Sequence, residues 1–553
     1  MIRRALVALL LIVVALLTYP GALLTSLATR IVPMQSVPSG STGALPWLHV
    51  AHPAGGLPYI ADDQGRKVLL HGATPAALLE FGPGTSPPYT LDPSAYAEGR
   101  CPTIDPSAKY PPLCRADLEG MAALGFNSLR LPISWSLLEP SRGQFSQTLV
   151  DRIGQVVDWA RALRMYVIID MHQNAFSHYI APGDGVNLTF NSGAPKWATY
   201  TDGFPSWAYR SQRELNPAVF EATTNFWYDR DGIQDEYIAA FAFVARRFVS
   251  DSVVAGFGLY NEPWPGWNFS PGFEDLLLLP FYRRVIDAIT GTHDGLPCWS
   301  RFFLPAVCGY RDLGVGDKRH LMFLDTGLAR EITDFPTHLG LPVSSYPNLV
   351  FALHAYTHIY TPDKLVLNQK PRDATYPWGG YEQSYSLAER EAKALDAALF
   401  VEEFGSNPAD DDVILVNQLR EEEKHAVGFE FWTWKENGGS NWGMFDPAGR
   451  CLRVGRERLL ARVYPQVTSD PAAVFQYDAS NGHFTLRATA RSSDPATVVS
   501  VPPEVSGEIT STGGVSVTVA AQPDGSRLVY ASPTGGEFGI AVSPAPLRLT
   551  GCG

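Results

Sequence analysis

Val254-Ala255-Gly256-Phe257-Gly258-Leu259-Tyr260 runs straight into Asn261-Glu262-Pro263-Trp264. A near-continuous apolar run of strand length that ends in polar residues suits a strand buried on both faces, with only its end meeting solvent. An amphipathic segment, residues 234–248, precedes it, and another, 276–289, follows. The alternation extends in both directions. Further strand candidates are 68–73, 126–131, 166–170, 320–325, 349–354, 399–403 and 429–434, with helical patterns at 148–163 and 387–398. Eight strands alternating with helices over roughly 400 residues predict an α/β fold, a (β/α)8 TIM barrel with long loop insertions. A doubly wound open sheet is the second choice, but no glycine-rich phosphate loop follows the first strand.

From residue 461 the texture changes. Residues 484–488, 497–501, 515–520, 528–531 and 538–542 alternate apolar and polar between Gly, Pro, Ser and Asp turns, with no helical pattern. They predict a small C-terminal antiparallel β-sandwich. The expected division is a targeting segment over 1–30, a barrel domain over 45–460 and the sandwich over 461–553. A chain of 553 residues exceeds what one core usually fills, which agrees with two domains.

Arg3 and Arg4 precede an apolar stretch from Ala5 to Leu17, the layout of an export signal. No clear small-x-small cleavage site follows. A removed signal peptide and an uncleaved anchor with the body outside therefore both stay open, and a secreted or extracytoplasmic membrane-anchored protein is expected. Six cysteines suit an oxidising compartment. Sequential pairing is expected: Cys101 with Cys114, Cys298 with Cys308, and Cys451 with Cys552, the last clamping the C-terminus to the end of the larger domain. A net charge of −13 excludes nucleic acid as a partner, because phosphate binding needs a basic surface. A monomer is expected.

Barrel active sites lie at the C-terminal ends of the strands. Reading those ends gives Arg130, then Asp170-Met171-His172-Gln173-Asn174, Asn261-Glu262-Pro263, His354-Ala355-Tyr356, Glu402-Glu403-Phe404-Gly405, and Trp432-Thr433-Trp434. One such residue alone would be a satisfied core polar group; six strands delivering them at one end call for chemistry. Cleaving a glycosidic bond needs a protonated carboxylic acid on one side of the sugar and a carboxylate on the other. Glu262 and Glu403 end strands four and seven, across the barrel mouth. A spacing of about 5–5.5 Å would give retention through a covalent intermediate. Glu402 shares a strand with Glu403, and alternation should send the two to opposite faces. His172, His354 and His358 lack the helical spacing of a zinc site, so neither metal nor cofactor is expected.

Leu129-Arg130-Leu131-Pro132, Asp170-Met171-His172-Gln173, Asn261-Glu262-Pro263, His354-x-Tyr356, Glu403-Phe404-Gly405 and Phe431-Trp432 resemble the signature of glycoside hydrolase family 5. Within it the chain is most similar to endoglycoceramidases, through residues 60–66, 193–198, 201–203, 225–227 and 232–235. The resemblance implies a retaining mechanism with Glu262 as acid/base and Glu403 as nucleophile. It implies Arg130 beneath the nucleophile and Tyr356 hydrogen-bonded to it. His354 would stand beside the acid/base, His172 and Asn261 at sugar hydroxyls, and Trp432 under the sugar ring. Two positions depart from the pattern. Asn174 stands where these enzymes carry a sugar-contacting Asp, and residues 71–77 lack their Lys.

The expected activity is hydrolysis of the O-glycosidic bond of a glycolipid or other β-glycoside. The alternatives are a family 5 endoglycanase on a soluble β-glucan or mannan, and a non-catalytic glycan-binding barrel. For a lipid, Leu276-Leu277-Leu278-Leu279-Pro280-Phe281 with Trp264, Trp267 and Phe269 either lines a groove or, the preferred reading, forms the core face of a helix.

Overall fold

The structure, a computed structural model, describes residues 45–80, 110–180, 191–207, 213–268, 272–293, 307, 309–335, 337, 339, 346–359, 380–437, 442–447, 449, 451–522 and 524–552. The N-terminal segment with its export reading, Phe269, and Cys101, Cys298 and Cys308 lie outside the described residues. Among the described residues no helix is long and apolar enough to cross a membrane.

Three short strands come first, β1 (Leu48–Ala51), β2 (Tyr59–Asp62) and β3 (Lys67–Val68). Eight parallel strands then close a barrel: β4 (His71–Ala73), β5 (Ser128–Ser134), β6 (Tyr166–His172), β7 (Val254–Gly258), β8 (Leu321–Asp325), β9 (Leu349–His354), β10 (Ala398–Phe404) and β11 (Phe429–Phe431). Each pairs with its sequence neighbours, and β11 returns to β4. All eight strands expected from the sequence are present. Their residues are buried throughout, as barrel strands sheathed by helices must be. The helix Gln147–Ala162 shows how they are sheathed. Ser146 caps it by accepting from the Leu149 N–H, and Leu149, Val150, Ile153, Val156, Val157 and Ala160 form its buried stripe.

The first expected strand is split. Leu69 packs into the core of the C-terminal sheet and Leu70 into the barrel core, so the chain crosses between the two at this point. The helix expected at 387–398 lies earlier, at Tyr381–Ala394, because Ala398 already pairs with Val350 in the barrel.

The C-terminal strands are β12 (Tyr464–Thr468), β13 (Val474–Asp478), β14 (His483–Ala490), β15 (Thr497–Val501), β16 (Ile509–Ala521) and β17 (Arg527–Val542). With β1–β3 they form one nine-stranded antiparallel sheet in the order β1-β2-β3-β12-β15-β17-β14-β13, with β16 on β17. Two expected strands merge in β17, whose intervening Pro533-Thr534-Gly535-Gly536 stays in the ladder through a register shift opposite Gly513 and Val515. Alternate residues Phe484, Leu486, Ala488, Val499, Val501, Val529, Ala531, Phe538 and Ile540 share one apolar core. Asp62 ties the β2–β3 turn, accepting from the backbone N–H groups of Gln64 and Arg66 and from the Arg66 side chain. That gives the 60–66 motif a structural job.

Cys451 and Cys552 are bridged as expected, closing a sequence separation of 101 residues. Cys114 is also disulfide-bonded. A loop this long removes considerable entropy from the unfolded chain. The double variant Cys451→Ser/Cys552→Ser is expected to lose about 2–4 kcal/mol of stability, measured by denaturant unfolding under non-reducing conditions.

Candidate active site

Arg130 leaves β5 towards the barrel axis with its side chain wholly buried. Its Nη1 donates to Glu403 Oε2 at 2.6 Å and its Nη2 to Asn261 Oδ1 at 2.7 Å. Nη2 is also 3.0 Å from Asp170 Oδ2, and Nε is 3.4 Å from Glu402 Oε1. One guanidinium thus gathers side chains from β6, the loop after β7, and β10. Gly258 makes the room: a Cβ there would stand 2.7 Å from Asp170 Oδ1 and 3.0 Å from Glu402 Oε1. Alternation does not separate Glu402 from Glu403. A register shift, between Val401 and Glu403 against β9 and between Val401 and Phe404 against β11, brings the two carboxyls to the same arginine.

Glu403 is held at both oxygens, since Tyr356 Oη donates to Oε1 at 2.6 Å opposite the Arg130 bond. Glu262 is held by its backbone instead. Its N–H donates to Asp325 Oδ2 at 2.7 Å, and Gln173 Nε2 donates to the carbonyls of Asn261 and Glu262 at 2.8 and 2.9 Å. Its φ of 42° is left-handed, uncommon for a residue with a side chain. His354 Nδ1 lies 3.2 Å from Glu262 Oε1. A carboxyl oxygen of Glu262 and one of Glu403 lie within 4.8 Å of one another.

The two glutamates live in different surroundings. Burial pushes the Glu262 carboxyl up to about 7, with His172 pulling the other way, so it is largely protonated below neutrality. Burial likewise raises Glu402 to about 8 despite Arg130, and carries Asp325, Glu331 and Glu430 well above the usual carboxylate range. Burial lowers His354 to about 3, leaving a neutral imidazole. At Asp170 burial is outweighed by Arg130 and His172, and the carboxyl stays ionised below its ordinary value. Asp325, Glu331 and His354 also bring donor atoms within 4.8 Å of one another. Near-neutral carboxyls around a histidine already placed between carboxyl groups favour hydrogen bonding over coordination there.

Around this pair sit the remaining expected residues. His172 is buried, with Nδ1 2.9 Å from Asp170 Oδ2 and Nε2 3.1 Å from the Asn174 amide. Asn174 also accepts from Arg213 Nη2 at 3.0 Å. Trp432 lies parallel to His172, with ring centroids 5.5 Å apart, and meets Tyr110 edge-on at 5.8 Å. Gly405 lets it do so, since a Cβ there would be 2.2 Å from Trp432 O. The Leu276–Leu279 run and Phe281 are buried as the core face of their helix, and among the described apolar candidates only Trp267 is exposed, at 42%.

Three contributors escaped the sequence reading. Arg213 stands in a stretch with no strand pattern. Gln173 was part of a motif but had no stated job. Asp325 ends β8, the fifth barrel strand, and its position at the C-terminal end of a barrel strand was the signal that could have found it.

A raised carboxyl binds a proton in the folded chain that the unfolded chain has released. Glu402 therefore contributes its stability in full below its ordinary value of 4.5 and loses it as pH rises through about 8. Denaturant unfolding at pH 5 and pH 9 is expected to show Glu402→Gln gaining on the unsubstituted protein at the higher pH; a pH-independent difference would contradict the assignment.

Comparison with known proteins bears on this geometry. The family model described as Cellulase (glycosyl hydrolase family 5) matches residues 110–438. Endoglycoceramidase I of Rhodococcus hoagii is 25% identical over 532 residues, covering 90% of this chain and 91% of that one. Among solved structures, an endogalactoceramidase superposes with a TM-score of 0.66 at 24% identity, covering 90% of this chain and 100% of that one. Endo-glycoceramidase II from Rhodococcus sp., solved as a lactosyl-enzyme intermediate (TM-score 0.61) and with ganglioside GM3 (TM-score 0.62), is 21% identical and covers 88% of this chain and 99% of that one. With its barrel, its paired glutamates and a family match over more than half its length, the chain belongs to glycosyl hydrolase family 5 and is a retaining glycoside hydrolase.

Proposed function

We propose that this enzyme hydrolyses the β-glycosidic bond between the sugar and the lipid of a glycolipid, by double displacement, outside the cytoplasm. The observation that carries the mechanism is the approach of a Glu262 and a Glu403 carboxyl oxygen to within 4.8 Å, which suits the carboxyl separation of about 5–5.5 Å in retaining enzymes rather than the about 6.5–9.5 Å of inverting ones. Glu403, oriented at both oxygens by Arg130 and Tyr356, attacks the anomeric carbon. Glu262, protonated in its buried setting, gives its proton to the departing lipid oxygen. In the second step Glu262 takes a proton from water, which attacks the same carbon and frees Glu403. Trp432 forms the floor under the ring. The second amide N–H of Asn261, left over from its bond to Gln173 O, is available to a sugar hydroxyl. His172 and Asn174, joined to each other, offer an edge for further hydroxyls.

The glycolipid substrate is supported by relatives named endoglycoceramidase and endogalactoceramidase and by the GM3 complex of one of them. The place outside the cytoplasm is supported by the Arg3-Arg4 and apolar N-terminal pattern and by the Cys451–Cys552 bridge.

Glu262→Gln and Glu403→Gln are each expected to lower turnover of a glycosylceramide by at least about 10²-fold with folding retained. The basic limb of kcat/KM, set near pH 7 by Glu262 in the unsubstituted enzyme, should disappear from the residual activity of Glu262→Gln. Unimpaired turnover in either variant would refute the assignment. Mass spectrometry of products from a mixed glycolipid extract, run beside soluble β-glucan and mannan, is expected to show free sugar or oligosaccharide plus intact lipid. Release from the soluble glycans alone would move the enzyme to the polysaccharide class.

A further inference from the structure

We infer that Asp325 is a positioning residue for the acid/base, holding the Glu262 backbone through one carboxyl oxygen. This rests on the assignment of Glu262 above. Asp325 Oδ2 accepts the Glu262 backbone N–H at 2.7 Å, at the one place where that backbone is left-handed. His354 stands beside both groups, its Nε2 3.2 Å from the same Asp325 oxygen but outside hydrogen-bonding geometry, and its Nδ1 3.2 Å from Glu262 Oε1. Asp325 and His354 are buried, and Tyr282 Oη donates to the Asp325 carbonyl at 2.7 Å, anchoring the end of β8.

The groups that face Asp325 from the surrounding elements are His354 from β9, Glu331 from the helix Leu328–Thr333, Glu402 from β10 and Arg130 from β5. With a neutral imidazole, one ring nitrogen donates and the other accepts. Nδ1 as the donor bonds Glu262 Oε1, which leaves the proton that Glu262 carries on its other oxygen, available to the leaving group. Asp325, itself a protonated carboxyl, accepts the Glu262 N–H through Oδ2 and so sets the direction from which that proton is given. Acid catalysis gains from such an arrangement, whereas attack by Glu403 does not depend on it.

That difference supplies the test. Phenyl and 2,4-dinitrophenyl β-glycosides, of the sugar released in the product assay, differ in their need for a proton: the phenolate departs poorly and the dinitrophenolate departs unaided. Asp325→Ala is expected to lower kcat/KM about 10²-fold on the phenyl glycoside and by no more than about threefold on the dinitrophenyl glycoside. Asp325→Asn keeps an acceptor for the Glu262 N–H and should stay within about threefold of the unsubstituted enzyme on both substrates. Asp325→Leu, of similar size but without an acceptor, should show the split and carries the test should the Ala variant fail to fold. For the Ala or Leu variant, equal losses on both substrates, or no loss on either, overturn the inference. Glu262→Ala serves as the reference. If it shows the split and Asp325→Ala and Asp325→Leu do not, only the positioning role falls; if it shows none, the acid/base assignment falls with it.

Discussion

The buried guanidinium of Arg130 is the constraint on which the rest of the site depends. A wholly enclosed cation is tolerated only where carboxylates and hydrogen-bond acceptors replace the water it has lost. Glu403, Asp170, Glu402 and Asn261 do so here, from three neighbouring parts of the barrel. Each is placed by the same group, so displacement of one disturbs the others. Removing the arginine would leave buried acids facing each other with nothing between them, which is worse than losing one hydrogen bond.

The same enclosure sorts the acids into kinds. Those in direct contact with a positive or donating partner, such as Asp170, stay ionised. Those that meet mainly apolar walls and other acids, such as Asp325, Glu331 and Glu430, keep their protons. Glu262 falls between, at about 7, because burial raises it while His172, Arg213 and Arg130 pull the other way. Two carboxyls of one residue type acquire different tasks from their surroundings alone.

Much of this was visible in the residues. The eight barrel strands announced themselves because a sheet covered on both faces needs continuous apolar runs, and the residues at their ends marked the mouth. The pairing of Cys451 with Cys552 was also legible. Less visible was the C-terminal sheet, which takes in β1–β3 from the start of the chain. Strands as short as Lys67–Val68 carry too little pattern to be found, and their partners are some 400 residues away in sequence. The Leu276–Leu279 run illustrates the opposite limit: a run of leucines says that a surface is apolar, not which surface covers it.

What the sequence determined by itself was the barrel and its reaction type, because strand ends of a barrel converge and the residues there are read directly from their order. What only the tertiary structure decided was how those residues hold one another. Glu402 turned inward through a strand irregularity that alternation does not foresee. Asp325 became the anchor of Glu262, and Arg213 came to rest on Asn174. Such contacts join residues tens to hundreds of positions apart. They exist only once the barrel has closed and the exclusion of water has made each unpaired polar atom costly enough to demand a partner.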